Sequence, residues 1–442
     1  MQFNSIAFLF CFLPLFLAVY YLFPASWRGA LLLTASLVFY YFAGENKILI
    51  MGLIVGTTLF TYWIGRAMWR KRRGLLIFGL SVLLGILVFL KLFDGGKHLP
   101  AGLSFYLFQQ AAYLMDAYRR KLEPEQSLIR YGTQIMMFPK VLMGPLMDPA
   151  DLRRQVKRPD YSVDSFHTGL QELILGLGLK VLLADRVGGL WAQAGTIGYE
   201  SISTPFAWMA LVSFAMRLYF DFWGYSVMAC GIGHMLGYRL PENFLDPYAS
   251  RSVSEFWRRW HASLGAWFRD YLYIPLGGNR KGILRTLLNL LVVWLFTGLW
   301  HGVGGNYLLW AMILCFCVVN ERLWLGKLLK AVGPLSYVYT VLAILLSWVP
   351  FAIGNWDTMV IFFQKLFGMG IPALNGGDYV VWLREYQWLL LAGLVFATPL
   401  PRRLWNKIKD HALTDLLLFG LFWVAVYFIC TSAQDPFMYF QY

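Results

Sequence analysis

Residues 252–305 read SVSEFWRRWHASLGAWFRDYLYIPLGGNRKGILRTLLNLLVVWLFTGLWHGVGG. Two of the chain's six histidines, His261 and His301, stand in this stretch 40 positions apart, each inside a long apolar and aromatic run. An ionisable side chain in such surroundings is costly to bury and marks a functional site by default. Ser252 followed three residues later by Glu255 is a capping-box pattern, and it predicts a helix from Val253. On a continuous helix Trp257, His261, Leu264 and Phe268 share one face, which turns His261 into an aromatic interior. Arg258 and Arg269 fall on another face, within reach of phosphate headgroups. The apolar run 287–300 is short: roughly 21 Å of helix at about 1.5 Å per residue, against roughly 30 Å of hydrocarbon. Gly302, Gly304 and Gly305 follow it. The expectation is a helix that stops within the membrane's thickness and leaves His301 on the floor of a pocket, since irregular backbone survives there only against protein or a water-filled cavity.

Composition supports a membrane setting independently. Of the 442 residues 59% are hydrophobic, 18% aromatic and only 14% charged. The fold class expected is all-α: a polytopic helical bundle of roughly 10–13 membrane segments, re-entrant ones included, around a central pocket and forming one unit over 1–442. The net charge of +14 is carried in clusters between apolar runs. That pattern fits loops facing anionic lipid and argues against a nucleic-acid partner. Cys11, Cys230, Cys315, Cys317 and Cys430 all lie in apolar stretches, so neither a disulfide framework nor a zinc site is expected.

In chain order, residues 5–23 lack a basic start and a convincing cleavage site, so they read as a retained helix. Further spans are expected at about 29–43, 48–66, 75–93 and 103–118. Arg70, Lys71, Arg72 and Arg73 mark a cytoplasmic loop, which sets the N-terminus and residues 94–102 outside. The 103–118 span carries Ser104, Gln109, Gln110 and Asp116, a polar set for an inward-facing helix; Gln109 and Asp116, with Trp300, are candidate pocket-lining residues. Residues 128–147 contain Pro139, Gly144 and Pro145 between two basic flanks and read as re-entrant from the cytoplasm rather than crossing. A returning helix is expected at about 166–184, then one crossing and a second, non-crossing helix within 205–240, where Arg217 and Asp221 are spaced to pair. Residues 241–285 stay on the cytoplasmic side or partly embedded. Helices at about 286–300, 306–325, 335–353, 387–400 and 412–430 complete the bundle, with 355–386 as an external loop.

The run SEFWRRWHASLGAWFRDYLYIPLGGNR and the following LWHG resemble the membrane-bound O-acyltransferases, closest to the bacterial branch that acetylates alginate and transfers D-alanine to teichoic acids. MQFNSIAFLFCFLPLFLAVYYLFP, GLSFYLFQQAAYLMDAYR, MFPKVLMGPL and FMYFQY extend the resemblance to nearly the whole chain. Asp148 stands where the alginate-acetylating proteins carry an arginine. The resemblance implies a catalytic core in 252–305 with His301 and His261 as catalytic residues. It also implies a cytoplasmic acyl-thioester donor, acetyl-CoA or the phosphopantetheine of an acyl carrier protein, with no bound cofactor and no metal. Acceptors are hydroxyls of an extracytoplasmic polysaccharide, reached through an extracytoplasmic acyltransferase or polymer-assembly partner, and the location implied is the bacterial inner membrane.

The chemistry of the residues agrees. Acyl transfer to a hydroxyl needs a base beside the acceptor oxygen, a role suited to a buried histidine. His301 is that base; His261 orients the donor or polarises its carbonyl. The competing reading makes each a packing or hydrogen-bonded core residue. Arg269, Arg280 and Lys281, around the Gly277-Gly278 turn, with Trp257, are candidates for holding the donor, against the plainer reading of charges anchored at the membrane surface. His98, His167 and His411 read as solvated or interfacial, and His234 as locally hydrogen-bonded. D-alanyl transfer is the alternative within the class. A polymer or lipid transporter is the alternative outside it, weakened by the lack of an internal repeat.

The charge pattern makes a topological prediction. In a background without native thiols, Gly95→Cys and Lys71→Cys label from opposite faces of the membrane with an impermeant maleimide; equal labelling of both overturns the arrangement.

Overall fold

The computed structural model describes residues 2–43, 47–68, 72–92, 102–431 and 437. Arg70, Lys71, Gly95, His98 and most of FMYFQY lie outside them. Among the described residues the secondary structure is helical throughout, without strands. Six helices among the described residues are long and apolar enough to cross a bilayer: Lys47–Ala67, Arg73–Leu92, Gly282–His301, Gly305–Ala331, Leu335–Ala352 and Ala412–Thr431. A seventh forms if Asp378–Phe396 and Leu400–Ile408, bent by 74°, count as one span. The chain is an all-α, multi-pass membrane protein. Its residues divide into two units, one of residues 1–177, 224–242 and 420–441, the other of 178–223, 243–419 and 442.

In the first unit polar side chains and small residues do the work that apolar burial cannot do in lipid. Gln110 donates to the hydroxyls of Thr57 and Thr58 at 3.1 and 3.2 Å, joining Leu103–Tyr118 to Lys47–Ala67. Gly169 and Gly176 on Val163–Gly178 face Gly231 and Gly224 on the end of Thr204–Met235. A Cβ on Gly176 would sit 2.5 Å from the Gly224 carbonyl oxygen, and one on Gly169 would sit 2.4 Å from that of Gly231. The expected re-entrant stretch is broken into Leu128–Met136 and Phe138–Val141, too short to cross. Its return is clamped by Gln109, whose amide donates to the Met147 carbonyl at 3.0 Å and accepts from the Met147 N–H at 3.3 Å. Asp148, the departure from the related proteins' arginine, caps the next helix by accepting from the N–H groups of Ala150 and Asp151.

In the second unit several expectations are corrected. The helix expected to end near 184 runs on through Leu179–Ala184 into Asp185–Ile197; no proline follows Ala184 there, and Gly188 and Gly189 are carried inside the helix. Within 205–240 there is one helix, Thr204–Met235, and no second one; its apolar residues run without a terminator until Gly237, at φ +83°. Asp221 and Lys180, both almost wholly buried, form an ion pair at 2.6 Å, and Lys180 also holds Asp185 at 2.6 Å. The expected external loop contains the helix Trp356–Leu366, capped by Asn355, and the start of Asp378–Phe396. The helix leading to His301 does not stop short. It starts at Gly282 and its 20 residues make roughly 30 Å, a full span. Arg285 and Asn289 are admitted to its first turns because they donate to the carbonyls of Leu276 and Gly278 in the preceding turn.

The glycine contacts yield a stability test. Gly176→Val places methyl groups inside contact distance of the Gly224 backbone, and overpacking of this kind costs about 1–3 kcal/mol. Thermal unfolding in detergent is expected to shift down, whereas Gly29→Ala, at a site with open space around it, leaves it unchanged.

Candidate active site

The helix that opens the site begins as its sequence dictates. Ser252 accepts from the Glu255 N–H at 3.0 Å, and the Glu255 carboxylate accepts from the Arg251 N–H at 2.9 Å. Two further amide donors at this end, those of Val253 and Ser254, are taken by the two carboxylate oxygens of Glu321, at 2.6 and 2.8 Å. Glu321 is a buried residue 68 positions beyond Val253 and 67 beyond Ser254, and nothing local in the sequence announces it.

This helix, Val253–Arg259, then ends, and the expected shared face of Trp257, His261, Leu264 and Phe268 does not exist. His261 takes a left-handed conformation, φ +46° and ψ +50°, before a second helix, Ala262–Phe268. The kink is fastened from both sides by segment 243–246: the Leu245 N–H donates to the Arg259 carbonyl at 3.0 Å, and the Ala262 N–H to the Asn243 carbonyl at 2.9 Å. Left-handed backbone away from glycine costs of the order of 1 kcal/mol and persists where neighbours over-determine it. Histidine and asparagine tolerate it better than most.

The kink drives the His261 imidazole inward, to 4% exposure, edge-on to Phe222 at 4.7 Å. Its Nδ1 lies 3.3 Å from Asn243 Oδ1. That same oxygen accepts from the Ser263 N–H, which has no other role available, so the amide orientation is set and Nδ1 is the donor. Nε2 is thereby the ring's acceptor. Burial pushes the imidazole from its ordinary 6.5 down to about 3. His261 is neutral across the physiological range.

His301 is the last residue of Gly282–His301, as the LWHG motif led one to expect, and it is only half-buried. Its ring packs against Trp300 at 4.5 Å, Trp310 at 4.8 Å and Phe351 at 5.3 Å. Glycines on both sides of His301 are demanded by packing: a Cβ on Gly302 would meet the Tyr307 ring at 2.4 Å, and one on Gly298 would stand 3.0 Å from the Ala311 Cβ of the next helix. Asn306, at the start of that next helix, donates to the Pro350 carbonyl at 3.0 Å and so places Phe351 beside His301. Trp260, Trp348 and Trp310 form a run of rings, at 5.4 and 6.1 Å, from the residue before His261 to the residue beside His301. Trp257 joins it through Trp310 at 5.6 Å and Trp294 at 5.4 Å. Sequence reasoning missed Asn243, Glu321, Trp310, Trp348 and Phe351, whose only signal is long-range contact.

The remaining candidates are placed as follows. Arg269 makes a two-point ion pair with its neighbour Asp270, the shorter contact being 2.7 Å. Arg280 and Lys281 are exposed beyond the Gly277-Gly278 turn, whose glycines have φ of +112° and +53°. Asp116 belongs to the first unit, where it lies 3.8 Å from Arg119 and 3.6 Å from Lys121. Gln109 is occupied with Met147 as described, and Trp300 lies beside His301. His234 pairs with Glu172 at 2.7 Å, His167 lies 3.4 Å from the Gln171 amide, and His411 is exposed.

The model of the MBOAT family, the membrane-bound O-acyltransferases, matches residues 120–332 and so contains both histidines. The chain is 32% identical to the probable alginate O-acetylase AlgI of Pseudomonas putida, with all of both chains covered. It is 30% identical to a peptidoglycan O-acetyltransferase of Helicobacter pylori over 83% of this chain and 80% of that one. It is also 27% identical to a teichoic acid D-alanyltransferase of Bacillus subtilis over 51% and 60%.

The neutral His261 has a measurable consequence. Below about pH 6.5 the unfolded chain binds a proton at this histidine that the folded protein refuses until about pH 3. Its stabilising contribution is therefore complete above about 6.5 and is lost as pH falls through that window, by on the order of 1 kcal/mol per pH unit. In detergent, wild type is expected to lose more thermal stability between pH 7 and pH 5 than His261→Asn, a variant that keeps the left-handed tolerance without the titration. Parallel losses in the two proteins contradict the neutral, buried assignment.

Proposed function

On the premise that this chain belongs to the membrane-bound O-acyltransferase family, we propose that it O-acetylates an envelope polysaccharide in the bacterial inner membrane. The donor is a cytoplasmic thioester, acetyl-CoA or an acyl carrier protein, and transfer proceeds with an extracytoplasmic partner. The observation that carries this reading is the half-buried His301 in its box of rings, accessible enough to meet a substrate and enclosed enough to exclude bulk water. Its imidazole takes the acceptor hydroxyl's proton as the oxygen attacks the thioester carbonyl carbon. The carbon–sulfur bond breaks, and the proton passes to the departing thiolate. His261, neutral and with Nε2 as acceptor, orients donor or acceptor by accepting a hydrogen bond. The exposed Arg280 and Lys281 suit the donor's phosphates; Arg269 joins them on leaving Asp270. Acetylation is favoured over D-alanyl transfer because the likeness to the alginate and peptidoglycan O-acetylating proteins covers most or all of the chain. That to the D-alanyltransferase covers half.

The test is His301→Ala and His301→Gln, purified, monodisperse and assayed for thiol release from acetyl-CoA with membranes bearing the acceptor. Each is expected to lose on the order of 10²–10⁴-fold in turnover, since glutamine hydrogen-bonds but cannot take the proton. Retention of more than about a tenth of wild-type turnover removes the general base. Unchanged acyl esters on the envelope polysaccharides of cells lacking the protein remove the acetyltransferase.

A further inference from the structure

Several indole N–H groups in this fold have acceptors. Trp208 donates to the Leu366 carbonyl at 2.8 Å, Trp324 to the Asn320 amide oxygen at 3.1 Å, and Trp348 to the Tyr248 hydroxyl at 3.4 Å. Two in the run of rings that leads to His301 do not. Trp310 is wholly buried and its Nε1 has no acceptor among the described residues. The Nε1 of Trp257 is likewise buried without one. The two rings stand 5.6 Å apart, and that of Trp310 stands 4.8 Å from His301. A buried donor left without an acceptor is a standing cost. Here two such costs are held in place by other contacts: Glu321 fixes the helix that carries Trp257, and Gly298 admits the helix that carries Trp310.

We infer that the Trp310 N–H, assisted by that of Trp257, is the donor that receives the acyl carbonyl oxygen during transfer. This rests on the acyltransferase reading above and adds to it the group that stabilises the developing charge. When the acceptor oxygen bonds to the carbonyl carbon and its proton goes to His301, the carbonyl oxygen takes up the electron pair. That oxyanion needs preorganised donors in a site closed to water. Trp310 supplies a donor one ring away from the base, already desolvated, so no reorganisation is needed as the charge appears. On collapse the carbon–oxygen double bond reforms, the carbon–sulfur bond breaks, and the proton on His301 passes to the thiolate. Edge-to-face packing alone would use the same N–H groups as weak donors to ring faces, and it predicts a different outcome.

The experiment compares Trp310→Phe, Trp257→Phe and Trp348→Phe in the full-length protein, in detergent and with matched thermal stability. Thiol release from acetyl-CoA is followed with acceptor-bearing membranes. Loss of one such donor is expected to lower kcat by about 10²-fold in Trp310→Phe while the donor KM moves less than about threefold. Trp257→Phe falls less far. Trp348→Phe, which removes a ring stacked on Trp310 but an N–H already used elsewhere, loses only several-fold. A readout independent of turnover is binding of acetonyl-CoA, whose ketone mimics the thioester carbonyl, against propyl-CoA, which lacks it. Wild type prefers the ketone and Trp310→Phe does not. Trp310→Phe turnover within about threefold of wild type, a Trp348→Phe loss as large as that of Trp310→Phe, or an unchanged ketone preference each overturns the inference while leaving the acyltransferase standing. A wild-type protein that neither releases thiol nor binds either analogue removes the functional reading itself.

Discussion

The Glu321 carboxylate against the amides of Val253 and Ser254 is the contact on which the second unit's site depends. A carboxylate buried without partners is expensive, and one that accepts two N–H bonds at the positive end of a helix is not. Lipid tails give helices no hydrophobic reason to associate, so polar contacts of this kind decide which surfaces meet. Glu321 follows directly on the helix Gly305–Asn320 that bears Trp310, and the amides it holds open the helix that bears Trp257. One carboxylate thus sets the spacing of Trp257 and Trp310, the latter beside His301, from a distance at which no sequence pattern speaks.

What the sequence made legible is what local chemistry determines. The all-α membrane class follows from composition, the start of the Val253–Arg259 helix from Ser252 and Glu255, and the placement of His301 at a helix end from the glycines behind it. What it hid has a common physical origin: long-range polar contacts that override periodicity. The run around His261 has an unbroken helical pattern, and the break is imposed by backbone bonds from 243–246. The Gly282–His301 helix was expected to be shorter because its apolar run was counted only from Leu287. Arg285, before that point, and Asn289, inside it, are satisfied by carbonyls of the preceding turn and so can stand in a helix. Asp221 was matched with the nearest basic residue on its own helix, while the structure also brings it Lys180 from another.

The two histidines are held by opposite devices, and that division suits two roles. His261 is fixed by hydrogen bonds and backbone strain: Asn243 sets its tautomer, and the left-handed kink sets its direction. Such a residue presents one atom, Nε2, in one orientation and in one protonation state. His301 is fixed by ring contacts at the end of a helix and keeps part of its surface open. That suits the role proposed for it, of meeting substrate and changing its charge during the reaction.

For the base proposed at His301, an aromatic box answers a difficulty of working in a dry site. A base must gain a positive charge at the moment of proton transfer, and an apolar wall would resist it. Ring faces attract a cation far more than a neutral imidazole. On the proposed mechanism, any of Trp300, Trp310 and Phe351 whose face meets His301 attracts it more as the proton arrives, which is the condition for an interaction to accelerate a reaction instead of tightening ground-state binding. The same argument separates the two faces of Trp310: its π surface suits the imidazolium, and its N–H suits the oxyanion. Both charges arise in one step and vanish in the next. A side chain that offers a partner to each meets the electrostatic demand of the transition state without introducing a permanent charge into the membrane, where such a charge is costly.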